Sequence, residues 1–206
     1  LYPRVPDRAD DLLIEVAGRP GVVGGNMTLM LLAAADRFSP DAYLTACKRA
    51  VETGDSQRVQ TLVKEAKNLL AEQAPSLPGE VILYAYTDGH RSIAKDLITQ
   101  CTPEQIAAAP PKLLRWAAEK LDFQTAVDLV DKGAQPGDEA AGILRALTGQ
   151  RQEWMAEHLL ERGMPVEPDN YAALYACVSN QAPGTAKLLL DLSLIHISEP
   201  TRPISI

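Results

Sequence analysis

Hydrophobic residues recur along the middle of the chain in one signature with helical spacing. In "FQTAVDLVDKG" they fall at Ala126, Leu129 and Val130, ahead of Gly133. In "EWMAEHLLERG", at an offset of 30, the same places hold Ala156, Leu159, Leu160 and Gly163. A further step of 30 reaches Ala186, Leu189, Leu190 and Asp191. Stepping back 32 gives Ala94, Leu97, Ile98 and Cys101, and another 35 gives Val59, Leu62, Val63 and Ala66. The central residue is Leu in all five copies. Positions i, i+3, i+4 and i+7 share one face of an α-helix, so each copy predicts an amphipathic helix with one apolar stripe.

Each copy has an upstream companion. Twelve residues before the small residue lie Cys47, Ile82, Leu114, Leu144 and Leu174, and nine before it Ala50, Ala85, Ala117, Leu147 and Cys177. Turn-forming residues separate the two halves: Gly54-Asp55, Gly89-His90, Leu121-Asp122, Gly149-Gln150 and Asn180. The unit is therefore a helix–turn–helix hairpin. "SPDA" at Ser39–Ala42 reads as an N-cap followed by a first-turn proline, and "TPEQ" at Thr102–Gln105 adds capping-box spacing. Prolines at 110, 111, 136, 165 and 168 punctuate the later hairpins. A lone hairpin cannot bury its stripe, whereas stacked neighbours can. The expected fold is all-α, an α-solenoid of about five units over residues 39–191.

The segments "LLRWAAEKLDFQTAVDLVDKGAQP" and "EHLLERGMPVEPDNYAALYACV" resemble ankyrin repeats. That family pairs a short helix ending in small residues with a helix ending LL-x-x-G, followed by a finger loop, at a period of about 33 residues. The resemblance spans roughly Tyr43–Asp191. It departs from the family at the TPLH opening, whose His position holds Lys48, Leu83, Arg115, Arg145 and Tyr175 here. The hydrogen bonds that brace a family unit are therefore not expected. "ERGMPVEPDNYAALYACV" is also somewhat similar to pentatricopeptide repeats, which bind RNA. Their period near 35 and the acidity of this chain weigh against that alternative.

Residues 1–38 read as an N-terminal segment. "GNMTLMLLAAAD" hints at one more degenerate unit, with Gly18, Gly21, Gly24 and Gly25 expected to break its first helix. At the other end the pattern stops after Asp191. "LSLIHISEPTR", from Leu192, resembles the translation of a transposon-derived adapter used in DNA sequencing libraries. Residues 192–206 are accordingly expected to be a non-native, unstructured tail, with the preceding helix short of a polar capping unit. Since the chain also opens on Leu1 rather than Met, it reads as a piece of a longer one.

Composition narrows the function classes. A net charge of −7 over 206 residues disfavours a binder of phosphate backbones. It points weakly to a partner with some basic surface. Three cysteines without CxxC spacing suggest neither a zinc site nor a disulfide framework, and fit a reducing compartment, cytoplasmic or nuclear. They occupy small-residue positions of the template and read as core. "GRPGVVGG" lacks the features of a phosphate loop and reads as an ordinary loop. His90 and His158 are too scattered for a triad or a metal site. Asp10-Asp11 and Asp138-Glu139 sit where helices are expected to start, and suit the dipole rather than catalysis. Trp116 and Trp154 are expected to pack between repeats.

The resulting expectation is a protein-interaction scaffold with no intrinsic catalysis and no cofactor or metal, a monomer binding another protein. The alternatives are an RNA-binding helical repeat and the non-catalytic part of a larger enzyme. Candidate contact residues are Glu119 and Lys120 after one first helix, Gln135, Asp138 and Glu139 in one finger loop, and Glu167, Asp169 and Asn170 in the next.

Overall fold

A computed structural model describes residues 5–34, 38–70, 74–166 and 171–197. Among these residues the chain is all-α, with helices and turns but no strands. It divides into two compact units that meet in sequence at Pro110 and Pro111.

The first unit contains α1 (Val5–Ala17), α2 (Gly21–Ala34), α3 (Pro40–Glu52), α4 (Ser56–Leu70), α5 (Leu77–Thr87), α6 (Arg91–Gln100) and the short α7 (Pro103–Ala107). Consecutive helices pair as hairpins. α1, α3 and α5 pack in one row, and α2, α4 and α6 in a second. Both predicted caps are present. Ser39 Oγ accepts from the Ala42 amide at 3.1 Å ahead of Pro40, and Thr102 forms a capping box with Gln105. α5 begins against the end of α7: a Cβ on Gly79 would collide with that of Ala109, so only glycine lets these backbones approach.

The second unit contains α8 (Lys112–Glu119), α9 (Phe123–Asp131), α10 (Ala140–Gly149), α11 (Glu153–Glu161), α12 (Tyr171–Ser179) and α13 (Pro183–Ile197). A 3-10 turn at Gly137–Glu139 leads into α10. Again α8, α10 and α12 form one row, and α9, α11 and α13 the other.

The template positions are the core. Leu62, Leu97, Leu129, Leu159 and Leu189 are all buried, as are Val59, Ala94, Ala126, Ala156 and Ala186. On the first helices Cys47, Ile82, Leu114 and Leu144 are buried too. Leu174 on α12 is only half-buried, and Leu190 on α13 is 48% exposed, because no further hairpin covers that flank among the described residues.

All five template hairpins turn the same way. Each first helix ends on a residue with positive φ: Gly54, Gly89, Leu121, Arg151 and Gln181. The amide of the next residue reaches back to the carbonyl of Ala50, Ala85, Ala117, Leu147 or Cys177. This Schellman closure satisfies carbonyls that a helix end would otherwise leave without partners. The last two turns differ from the sequence reading. The left-handed residues are Arg151 and Gln181, one or two places after the Gly149-Gln150 and Asn180 expected there. The fold demands this backbone at that register whether or not a glycine is available.

Two expectations at the ends need correction. Residues 18–25 are not a loop, and their glycines do not break the first helix: α1 and α2 make a sixth hairpin, with Gly18–Pro20 as its turn. Arg58 makes this possible. Its side chain is 2% exposed, and its guanidinium donates to the carbonyls of Ala17 (2.8 Å), Arg19 (2.6 Å) and Gly21 (3.0 Å) while pairing with Asp55 at 2.9 Å. Gly24 is required here, since a Cβ would overlap the Arg19 carbonyl. At the other end, α13 continues to Ile197 rather than stopping at Asp191, so residues 192–197 have helical backbone where an unstructured tail was expected. Residues 198–206 lie outside the described set.

Candidate functional site

The first helices of the second unit share one outward register position. It holds Arg115 on α8, Arg145 on α10 and Tyr175 on α12, at intervals of 30, and all three side chains are exposed. The buried residues beside each are Leu114 and Leu144 on the first two helices and Ala173 and Ala176 on the third. Helical spacing thus points the neighbours inward and these three outward.

Arg115 gathers two of the expected contact residues. Its Nε lies 2.8 Å from Glu119 Oε1, one turn along α8, and its Nη1 lies 2.6 Å from Glu139 Oε2, at the end of the finger loop. Hydrogen bonds to Glu139 first, and then to Glu119, raise the Arg115 pKa further. Both carboxylates, candidate contact residues by position, are therefore engaged by an internal cation. Arg115 itself was not among the expected contacts. Its spacing of 4 before Glu119, and the recurrence of arginine at Arg145, were the available signals.

The remaining candidates are dispersed. Lys120 Nζ sits 5.6 Å from the Trp116 ring centroid, a cation–π contact along the same helix. Gln135 donates to the Gly133 carbonyl at 3.0 Å and so closes its own turn. Asp138 is exposed and has no partner among the described residues. Glu167, Asp169 and Asn170 lie outside the described residues.

Neighbouring hairpins are also bound edge to edge by polar contacts. Asn180 donates to the Arg145 carbonyl at 3.3 Å and to Thr148 Oγ1 at 2.9 Å. Glu153 at the start of α11 accepts from the Gly184 and Thr185 amides, capping the N-terminus of α13. Arg162 after α11 pairs with Asp131 at the end of α9 at 2.8 Å. These contacts tie each of these hairpins to its neighbour.

Other chemistry resolves into structure. Asp10 and Asp11 lie within α1 rather than at its start, and Asp10 accepts from the Ser39 amide at 3.2 Å. His90 stands before α6, 3.5 Å from Asp88, and His158 faces the Phe123 ring. Trp154 meets Phe123 of the preceding hairpin in a tilted ring contact, centroids 4.8 Å apart, but keeps 55% exposure, so it is only partly an inter-repeat residue. Cys47, Cys101 and Cys177 are buried thiols that form no disulfide. Burial pushes the Cys47 thiol up to about 12, and burial followed by Glu153 pushes Cys177 up to about 11. Neither supplies a thiolate near neutrality.

In the first unit a cleft of about 640 Å³ opens beside Gly18 and Thr53. Two of the three acids that line it are paired: Glu15 with Arg19 at 2.6 Å, and Glu52 with Arg49 at 3.2 Å and with the Tyr84 hydroxyl at 2.8 Å, while Asp11 is the third. The described residues contain no cluster of metal-ligating side chains, and no helix among them is long and apolar enough to cross a membrane. No family model, curated protein or solved structure matches the chain.

Proposed function

We propose that the chain is a protein-interaction module built as an ankyrin-like α-solenoid, with no catalysis of its own. One observation carries this reading. The outward positions of successive first helices form a regular row, Arg115, Arg145 and Tyr175, held on hairpins whose turns and edges are rigidly bonded. Such a row offers a partner preorganised side chains at repeat spacing, which limits the entropy lost on binding. Arg and Tyr are also the residue types enriched where binding energy concentrates. Tyr171, one turn before Tyr175, extends the row with a second aromatic ring and is 79% exposed.

The partner is a polypeptide. Asp138 supplies a free acid for a basic side chain, while Glu119 and Glu139 serve to hold Arg115 in place. The acidity of the chain therefore overstates the acidity of the surface on offer. Panning a random dodecapeptide phage library against the immobilised chain tests the reading. Saturable enrichment of a peptide consensus supports it. No enrichment, together with salt-sensitive retention of a labelled single-stranded RNA, would replace it with the RNA-binding alternative.

A further inference from the structure

We infer that the outward face of α2 is a two-fold contact between copies of this chain, so that it pairs with itself where the sequence reading expects a monomer. α2 is apolar on two opposite sides. Gly24 and Thr28 are buried on its inner side, while Val22 (78% exposed), Val23 (69%), Leu29 (53%) and Met30 (71%) point away, with exposed Asn26 and Ala33 completing the outer stripe. A helix that is apolar all round is normally covered all round. The stripe recurs at 22, 26, 29 and 33, the alternating spacing of four and three with which one helix seats on another.

Two features select a second copy as the occupant. α2 carries no Asp, Glu, Lys or Arg, so the contact sets no like charges against each other even though each chain has a net charge of −7. The stripe is also self-complementary, as a two-fold interface requires. At about 100° per residue, Val22 and Leu29 lie on one edge, Val23 and Met30 on the other, and Asn26 midway. With the helices antiparallel about an axis through Asn26, Val22 lies over Leu29 of the second copy and Val23 over its Met30. Each contact then joins a small side chain to a larger one, which keeps the helices evenly spaced. A parallel pair would set valine on valine at one end, crowd the longer side chains at the other, and align the helix dipoles unfavourably. The Asn26 amide holds both a donor and an acceptor, so its counterpart satisfies it and fixes the register. A cleft of about 180 Å³ borders the Val22–Leu29 edge, with Gln57 and Thr61 of α4 on its far side. Leu29 of the second copy is the side chain that enters it, and the space suffices, since a cavity of about 150 Å³ already holds a benzene-sized group.

One pair of helices about 21 Å long is a small interface, so the dimer is weak and depends on concentration. Sedimentation equilibrium into the hundreds of micromolar is run on the chain, Val23→Lys, Met30→Glu, the double variant and, as a control at an exposed apolar residue of the second unit, Val178→Glu. The expected result is a monomer–dimer equilibrium for the chain and for Val178→Glu. Each single variant at the contact buries an unpaired charge and should dimerise at least about tenfold more weakly. The double variant should recover to within about threefold of wild type, because its cation and anion meet across the two-fold axis. Seven places apart on one helix, they do not pair within a chain. Both residues are exposed in the single chain, so dilute thermal melts stay unchanged. A chain that remains monomeric throughout overturns the inference, as does a dimer that both single variants leave intact. Association continuing past the dimer overturns it too, since a two-fold contact closes. Failure of the double variant to recover overturns the antiparallel register and the two-fold contact with it.

Discussion

The hairpins before Pro110 and those after Pro111 close the same turn with different residues. In the first unit the left-handed position of the template hairpins holds Gly54 and Gly89. In the second it holds Leu121, Arg151 and Gln181, at φ between 54° and 58°. A side chain in that region costs roughly 1–2 kcal/mol against the right-handed alternative. The hydrogen bonds are nevertheless the same in both units, to Ala50 and Ala85 in one and to Ala117, Leu147 and Cys177 in the other. Stacking therefore imposes the turn, and residue choice decides only how much strain accompanies it. The two units also brace differently. The first holds its glycine-rich opening hairpin with one buried arginine, whereas the second spreads bracing over exposed and part-buried contacts from Asn180, Glu153 and Arg162.

That contrast can be broken at several points. The largest expected effect is on packing. Leu129→Ala removes a fully buried side chain and should cost roughly 2–5 kcal/mol in urea melts, while Leu190→Ala on the exposed flank should cost under about 1 kcal/mol. Equal losses would mean that the second unit does not depend on its stack. In hydrogen exchange the Leu189 amide should correspondingly open more readily than that of Leu129.

Next comes the concentrated brace. Arg58→Ala leaves the carbonyls of Ala17, Arg19 and Gly21 without their donor and should cost about 2–4 kcal/mol. Arg162→Ala, which removes one exposed pair of the second unit, should cost under about 1 kcal/mol. If the two losses were alike, the distinction between a single latch and distributed bracing would disappear.

The turns themselves give smaller shifts of opposite sign. Gly89→Ala should destabilise by about 1–2 kcal/mol, because the new Cβ must adopt positive φ. Arg151→Gly should stabilise by about 0.5 kcal/mol, relief of strain exceeding the added flexibility of the unfolded chain. Thermal denaturation of both variants decides the matter, and a destabilised Arg151→Gly would show that its side chain makes contacts outweighing the strain. Smallest of all, Glu139→Ala should stay within about 0.5 kcal/mol of wild type, since its pair with Arg115 is surface-exposed on the arginine side.

Most of the framework was legible without coordinates. Five apolar stripes at offsets of 30 to 35 identified the buried leucines, and the caps at Ser39 and Thr102 were readable from local chemistry. The opening hairpin was not. Its glycines argue against a helix locally, and the arginine that accommodates them comes a full hairpin later in the chain, beyond the reach of any periodicity. The site divided in the same way. The register of Arg115, Arg145 and Tyr175 could be counted, and so could the spacing of 4 that pairs Arg115 with Glu119, but that Glu139 is engaged could not, because it depends on where a finger loop returns over a neighbouring helix.

What the sequence determined alone is therefore the repeating unit: the spacing of its two helices and the apolar face of each, both set by interactions within one hairpin. The tertiary structure decided the rest, namely which non-glycine residues accept a left-handed backbone, which carbonyls a distant arginine satisfies, and which charges are already paired. The physical reason is range. Periodicity records what a segment must bury, whereas strain relief and charge pairing depend on what packs beside it.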